Sequence, residues 1–309
     1  MEKTAQNTDT RVPAQPSYRA IYFDLDGTLL PMDIDDFLRE YYRRIITYIV
    51  SRVDVDPDKF KEALNKGVRA MGTHASTITN EEAFWDAFFE TMDRNKTDWQ
   101  ALFLEFYQTD FGNIGIGVDA NPAARQAIET LTEKGYPLVL VTMPMFPEPA
   151  VEWRLTWAGI NPALFGRLTT FDNSRATKPR LEYYAENFLA AGLAPEDVLM
   201  VGNNTREDLA VLDYGADAYL VTDFLINPND FNIATVKHGS LKDFAAWVET
   251  LPNCENPALD IETGLVDSNR CRKFEEEITQ KAAAAVARGK AAAEAAAAEA
   301  TATDDSRKD

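Results

Sequence analysis

One passage, Tyr18-Arg19-Ala20-Ile21-Tyr22-Phe23-Asp24-Leu25-Asp26-Gly27-Thr28-Leu29-Leu30, narrows the choice of fold more than any other part of the chain. Its largely apolar run ending in Phe23 reads as a buried strand of a parallel sheet, and Gly27 permits a tight turn at positive φ directly after it. Open α/β sheets present ligands at the carboxyl ends of their strands, which puts Asp24 and Asp26 where chemistry takes place. The backbone N–H groups of Leu25, Gly27 and Thr28 are expected to be free to face an anion. A carboxylate can attack phosphorus and form an aspartyl-phosphate while a second one passes protons to the leaving group and from water.

The whole run Phe23-Asp24-Leu25-Asp26-Gly27-Thr28-Leu29 resembles the first motif of the haloacid dehalogenase-like (HAD) superfamily, most of whose members are Mg²⁺-dependent phosphohydrolases. The resemblance implies a doubly wound, Rossmann-like parallel sheet and three further motifs. A second apolar strand over residues 137–142 ends in Thr142, whose hydroxyl, with the neighbouring Met143, is expected at a phosphoryl oxygen. Lys178, just before Pro179, matches the lysine that neutralises nucleophile and phosphoryl charge, with Pro179 expected in the first turn of a helix. A strand over residues 198–202 leads to Asn203, Asn204 and Asp208, where the family places metal-binding acids. Here the pattern is broken. Asn203 offers a hard cation an oxygen without charge, so the expected Mg²⁺ ligands are Asp24, Asp26, Asn203 and Asp208.

Between the first two motifs, residues 33–120 are helical in pattern and rich in aromatics, which resembles a cap inserted into the core formed by residues 18–32 and 121–253. Apolar residues at Phe37, Leu38, Tyr41, Tyr42, Ile45 and Ile46 follow helix spacing. Thr79 with Glu82, and Thr97 with Gln100, read as capping boxes for two later helices. Phe84, Trp85, Phe88, Phe89, Phe103 and Phe106 read as a bundle core. Gly112, Gly115 and Gly117 read as a hinge. Asn121-Pro122 then opens a helix that Gly135 closes. His74 reads as a solvated histidine in a polar loop, with a place facing the substrate as the alternative, and His238 reads as part of a turn with no chemical role. Residues 1–17 are polar and read as a disordered leader; residues 254–309 read as an Ala/Glu-rich tail, helical or disordered, with a protein partner as one use for it.

Thirty-one Lys and Arg against 50 Asp and Glu give a formal charge of −19, which repels nucleic acid and anionic membrane and obliges any phosphate site to be locally positive. Two late cysteines, Cys254 and Cys271, suggest neither a disulfide framework nor a zinc cluster and suit the cytoplasm. The expected activity is Mg²⁺-dependent hydrolysis of a small-molecule phosphate monoester. Asp24 acts as nucleophile, Asp26 as acid and base, and Thr142 and Lys178 hold the phosphoryl group. The alternative is a catalytically weakened relative that binds a phosphorylated ligand or a protein partner, motivated by Asn203 and Asn204.

Overall fold

A computed structural model describes residues 17–305 apart from residue 116, so the leader expected over residues 1–17 lies, but for its last residue, outside the described chain. Six parallel strands form one sheet: β1 (Ala20–Phe23), β2 (Leu138–Leu140), β3 (Phe165–Leu168), β4 (Val198–Gly202), β5 (Asp217–Val221) and β6 (Lys237–Gly239), in the order β3-β2-β1-β4-β5-β6. β1 is central and buried on both faces, as its apolar run requires. Ile21 and Phe23 join one core with residues of α5 (Pro122–Glu133), α6 (Glu148–Trp157) and α8 (Leu241–Thr250). Ala20 and Tyr22 join the other core with α7 (Leu181–Ala190) and α9 (Ser268–Asp305). The chain winds outward from β1 to β3, then returns to place β4 on the other side of β1, so a crevice opens between the carboxyl ends of β1 and β4.

The helical insert comprises α1 (Ile34–Val50), α2 (Pro57–Thr73), α3 (Asn80–Phe89), α4 (Trp99–Gln108) and a 3₁₀ turn at Phe111–Gly115. Its aromatics pack together, with Phe60 stacked on Trp99 at 6.0 Å and Trp85 edge-on to Phe103 at 5.2 Å, in a cluster that also takes in Ala150 of α6 and meets Phe146 and Trp157. Thr79 and Glu82 form the expected capping box. The cap of α4 is Asp98, whose carboxylate accepts from the Ala101 amide, instead of the expected Thr97 with Gln100. Of the glycines read as a hinge, Gly112 and Gly115 are packing contacts, whereas Gly117 has open space around it and a φ of +93°. A Cβ on Gly112 would lie 2.8 Å from the Trp153 ring, and one on Gly115 would lie 2.2 Å from the Trp157 ring.

Three other expectations shift. His238 belongs to an edge strand, β6, instead of a turn. α7 begins at Leu181 with Arg180 as its N-cap, so Pro179 precedes the helix; the Lys178–Pro179 bond is cis. The segment before α9 is docked on the core. The Ala258 amide donates to Arg19 O at 3.0 Å and the Glu262 amide to Ala190 O at 2.8 Å, while buried Arg167 donates to the carbonyls of Glu262 and Gly264. α9 continues against α7 through buried Cys271 and Ile278. Among the described residues no helix is long and apolar enough to cross a membrane.

Candidate active site

The sheet delivers its polar side chains to one crevice because each strand ends just before them. Asp24 follows β1, its amide donating to Val201 O at 2.9 Å, and Asn203 follows β4. The β1–β2 pairing continues one bond beyond β2, with the Val141 amide on Phe23 O at 2.7 Å, which carries Thr142 alongside the end of β1. Lys178 reaches in from the loop before α7. Its Nζ donates to Asp24 Oδ1 at 2.8 Å and to Asp208 Oδ1 at 2.7 Å, and all three side chains are nearly or fully buried. Burial works against the ammonium, but the Asp208 and Asp24 carboxylates outweigh it and hold the Lys178 pKa well above the usual lysine range. Burial pushes the Asp208 carboxyl up to about 7 against the pull of Lys178.

Asp26 has a cation of its own. Arg154 on α6, 1% exposed, donates from Nη1 to Asp26 Oδ2 at 2.5 Å and from Nε to Ala150 O at 3.2 Å, with its guanidinium 4.8 Å from the centre of the Phe146 ring. Asp26 Oδ1 is buried without a partner, and burial raises this carboxyl above the usual range despite Arg154. Thr142 Oγ1 is also buried and unpartnered, while the Thr142 carbonyl accepts from Tyr183 Oη at 2.6 Å. Buried donors and acceptors are rarely left unused in folded proteins. Both atoms keep hydrogen-bonding capacity that no described residue meets.

The turn differs from expectation in one respect. The Gly27 amide donates to Leu30 O at 2.8 Å and the Thr28 amide to Leu25 O at 3.2 Å, so neither is free for an anion. Gly27 does adopt the expected positive φ, +81°. Thr28 contributes its hydroxyl instead, 3.1 Å from Asp24 Oδ2 and 3.2 Å from Asn203 Oδ1. Leu25 is fully buried in the core and Met143 lies half-buried in the loop after β2.

Asn203 is 2% exposed, with Nδ2 donating to Phe224 O at 2.6 Å. Asn204 stands apart from the crevice: its side chain caps the following turn, accepting from the amides of Arg206 and Glu207. Its own amide donates to Asp208 Oδ2 at 2.9 Å. The structure therefore gathers Asp24, Asp208, Lys178, Asn203 and Thr28 into one hydrogen-bonded cluster, with Asp26 joined to Arg154 beside it.

Sequence reasoning missed Arg154. Its signal was a charged residue in phase with Ala150, Val151 and Leu155, all buried on the core side of α6. It also missed Asn80, a buried residue of α3 bonded to two core loops.

The family model for haloacid dehalogenase-like hydrolases matches residues 18–213, more than half of the chain. No curated protein matches. Among solved structures, a HAD phosphatase from Thermococcus onnurineus is 18% identical over 75% of this chain and 99% of its own, with a TM-score of 0.48. A predicted phosphoglycolate phosphatase from Haemophilus somnus is 19% identical over 75% and 98%, with a TM-score of 0.44. The L-2-haloacid dehalogenase of Xanthobacter autotrophicus is 19% identical over 75% and 99%, with a TM-score of 0.43.

Proposed function

Because this chain belongs to the haloacid dehalogenase-like hydrolase family, we propose that it hydrolyses a small-molecule phosphate monoester through an aspartyl-phosphate on Asp24, beneath the helical insert acting as a cap. The observation that carries this reading is the state of Asp26, with Oδ2 fixed by Arg154 and Oδ1 buried and unpartnered. A carboxyl group held at one oxygen can carry a proton on the other, which suits a leaving alkoxide. A halide needs no proton on departure, so the same group would be idle in a dehalogenase.

In the first step an Asp24 oxygen forms a bond to phosphorus, the bond to the ester oxygen breaks, and that oxygen takes the proton from Asp26 Oδ1. In the second, Asp26 accepts a proton from water as the water oxygen attacks phosphorus and Asp24 leaves. Lys178, which donates to Asp24 Oδ1, meets the phosphoryl charge, and the Thr142 hydroxyl donates to a phosphoryl oxygen.

Among the described residues no three His, Cys, Asp or Glu side chains form a metal-binding group. The donor chemistry nevertheless fits Mg²⁺. Asp24 Oδ2 and Asn203 Oδ1 converge on one hydroxyl, and Asp208 lies beside Asp24 across Lys178. Asp24, Asp208 and Asn203, with the Asp26 carbonyl, would hold the ion. It would supply positive charge where three carboxylates outnumber Lys178 and Arg154.

The test is phosphate release with Mg²⁺ across sugar phosphates, nucleotides and other small esters, for wild type and Asp24→Asn. Turnover in the wild type and a loss of about 10³-fold or more in the variant is expected. Unchanged turnover in Asp24→Asn would remove Asp24 from the mechanism.

A further inference from the structure

Asn80 opens α3 in the helical insert, yet its hydrogen bonds go to the core. It is fully buried. Nδ2 donates one proton to Pro144 O at 2.9 Å and the other to Ala176 O at 3.1 Å. The backbone amide donates to Ser174 O at 2.9 Å, and the next amide, Glu81, to Phe171 O at 2.8 Å. Oδ1 accepts from His74 Nε2 at 2.7 Å, which requires that ring nitrogen to carry its proton.

The two carbonyls on Nδ2 belong to different loops. Pro144 lies two residues beyond Thr142, and Ala176 two residues before Lys178. These loops leave β2 and β3 separately, so their relative height over Asp24 depends on what ties them together. We propose that Asn80 is a positioning residue that clamps the Thr142 loop to the Lys178 loop, so that the insert sets the geometry of the phosphoryl grip. The clamp rests on the phosphatase reading for its catalytic consequence, though not for its geometry.

The chemistry is specific to an amide. Two carbonyl oxygens facing one side-chain atom need a group with two donor protons, and Asn supplies them at the right reach while its oxygen meets His74. Asp has the same shape but presents an acceptor to both carbonyls. Alanine leaves both carbonyls without a donor. The insert and the grip are therefore coupled: a swing of the insert about its two chain connections must break these bonds.

The test compares Asn80→Asp and Asn80→Ala with wild type, alone and combined with Thr142→Ala. Misplacing catalytic groups by about 1 Å costs about 10²-fold, so kcat is expected to fall by that order with a smaller change in KM in both variants. In the Thr142→Ala background the Asn80 substitutions are expected to cost much less, because they act partly through Thr142. Fully multiplicative effects, or Asn80→Asp with wild-type kcat, overturn the clamp.

Hydrogen exchange gives a readout independent of turnover. In Asn80→Asp, which keeps the packing, amides at residues 142–146 and 174–180 are expected to exchange faster while those of α5 and α8 stay unchanged. If the wild type hydrolyses no ester, the phosphatase reading fails and exchange still decides the clamp: unaltered exchange in those loops overturns it.

Discussion

At the residue scale, the surroundings of Asn203 suit an amide better than an acid. Its Nδ2 donates to Phe224 O at 2.6 Å and packs on Gly27, where a Cβ would come within 2.3 Å of it. Aspartate there would set a carboxylate oxygen against a carbonyl. Asn203→Asp is therefore expected to lose about 1–3 kcal/mol of stability in the presence of a chelator. Mg²⁺ should restore more stability to the variant than it adds to wild type, as read by denaturant unfolding with and without the ion. A variant as stable as wild type in chelator would sink this account. Asp24 was legible from its type at a strand end, and Lys178 from the family motif it resembles, although its partner Asp24 lies 154 residues away. Arg154 and Asn80 stand in no such motif, and their bonds to Asp26 and Pro144, 128 and 64 residues away, are made only in the folded chain.

At the element scale, a short capping side chain made helix starts legible at Asn121 for α5 and Thr79 for α3, while at α4 two candidates stand side by side and Asp98, not Thr97, takes the cap. β6 was not, because Lys237-His238-Gly239 has no apolar run: it is an edge strand paired on one side only and largely exposed. What fixes that edge is Asp217 at the start of β5, which accepts from the Lys237 ammonium and from the Tyr18 hydroxyl. Burial alone would raise the Asp217 carboxyl, but these two hydrogen bonds outweigh it and hold it below its ordinary value of 3.8. A depressed acid contributes stability above its unfolded pKa and loses that contribution as pH falls through the folded value. The Tm advantage of wild type over Asp217→Asn should thus be full at about pH 7 and shrink below about pH 4. An advantage that persists unchanged to low pH would show that the ionised carboxylate is not what matters.

At the scale of the whole molecule, a charge of −19 surrounds the site proposed to take a phosphate ester. Screening reaches about 8 Å at physiological ionic strength, so added salt should raise kcat/KM for a phosphate ester by weakening long-range repulsion. A steep fall with salt would mean that local cations dominate the approach. The position of β1 has a further consequence, for the order of events in folding. Tyr22 pairs with Val139 on one side and Met200 on the other, both far downstream, while the intervening insert packs most of its aromatics among its own helices. Long-range pairings close late, whereas a compact helical unit can assemble during synthesis. The strand that carries Asp24 therefore leaves the ribosome early and must wait for its neighbours, an apolar edge in need of shelter until β4 arrives.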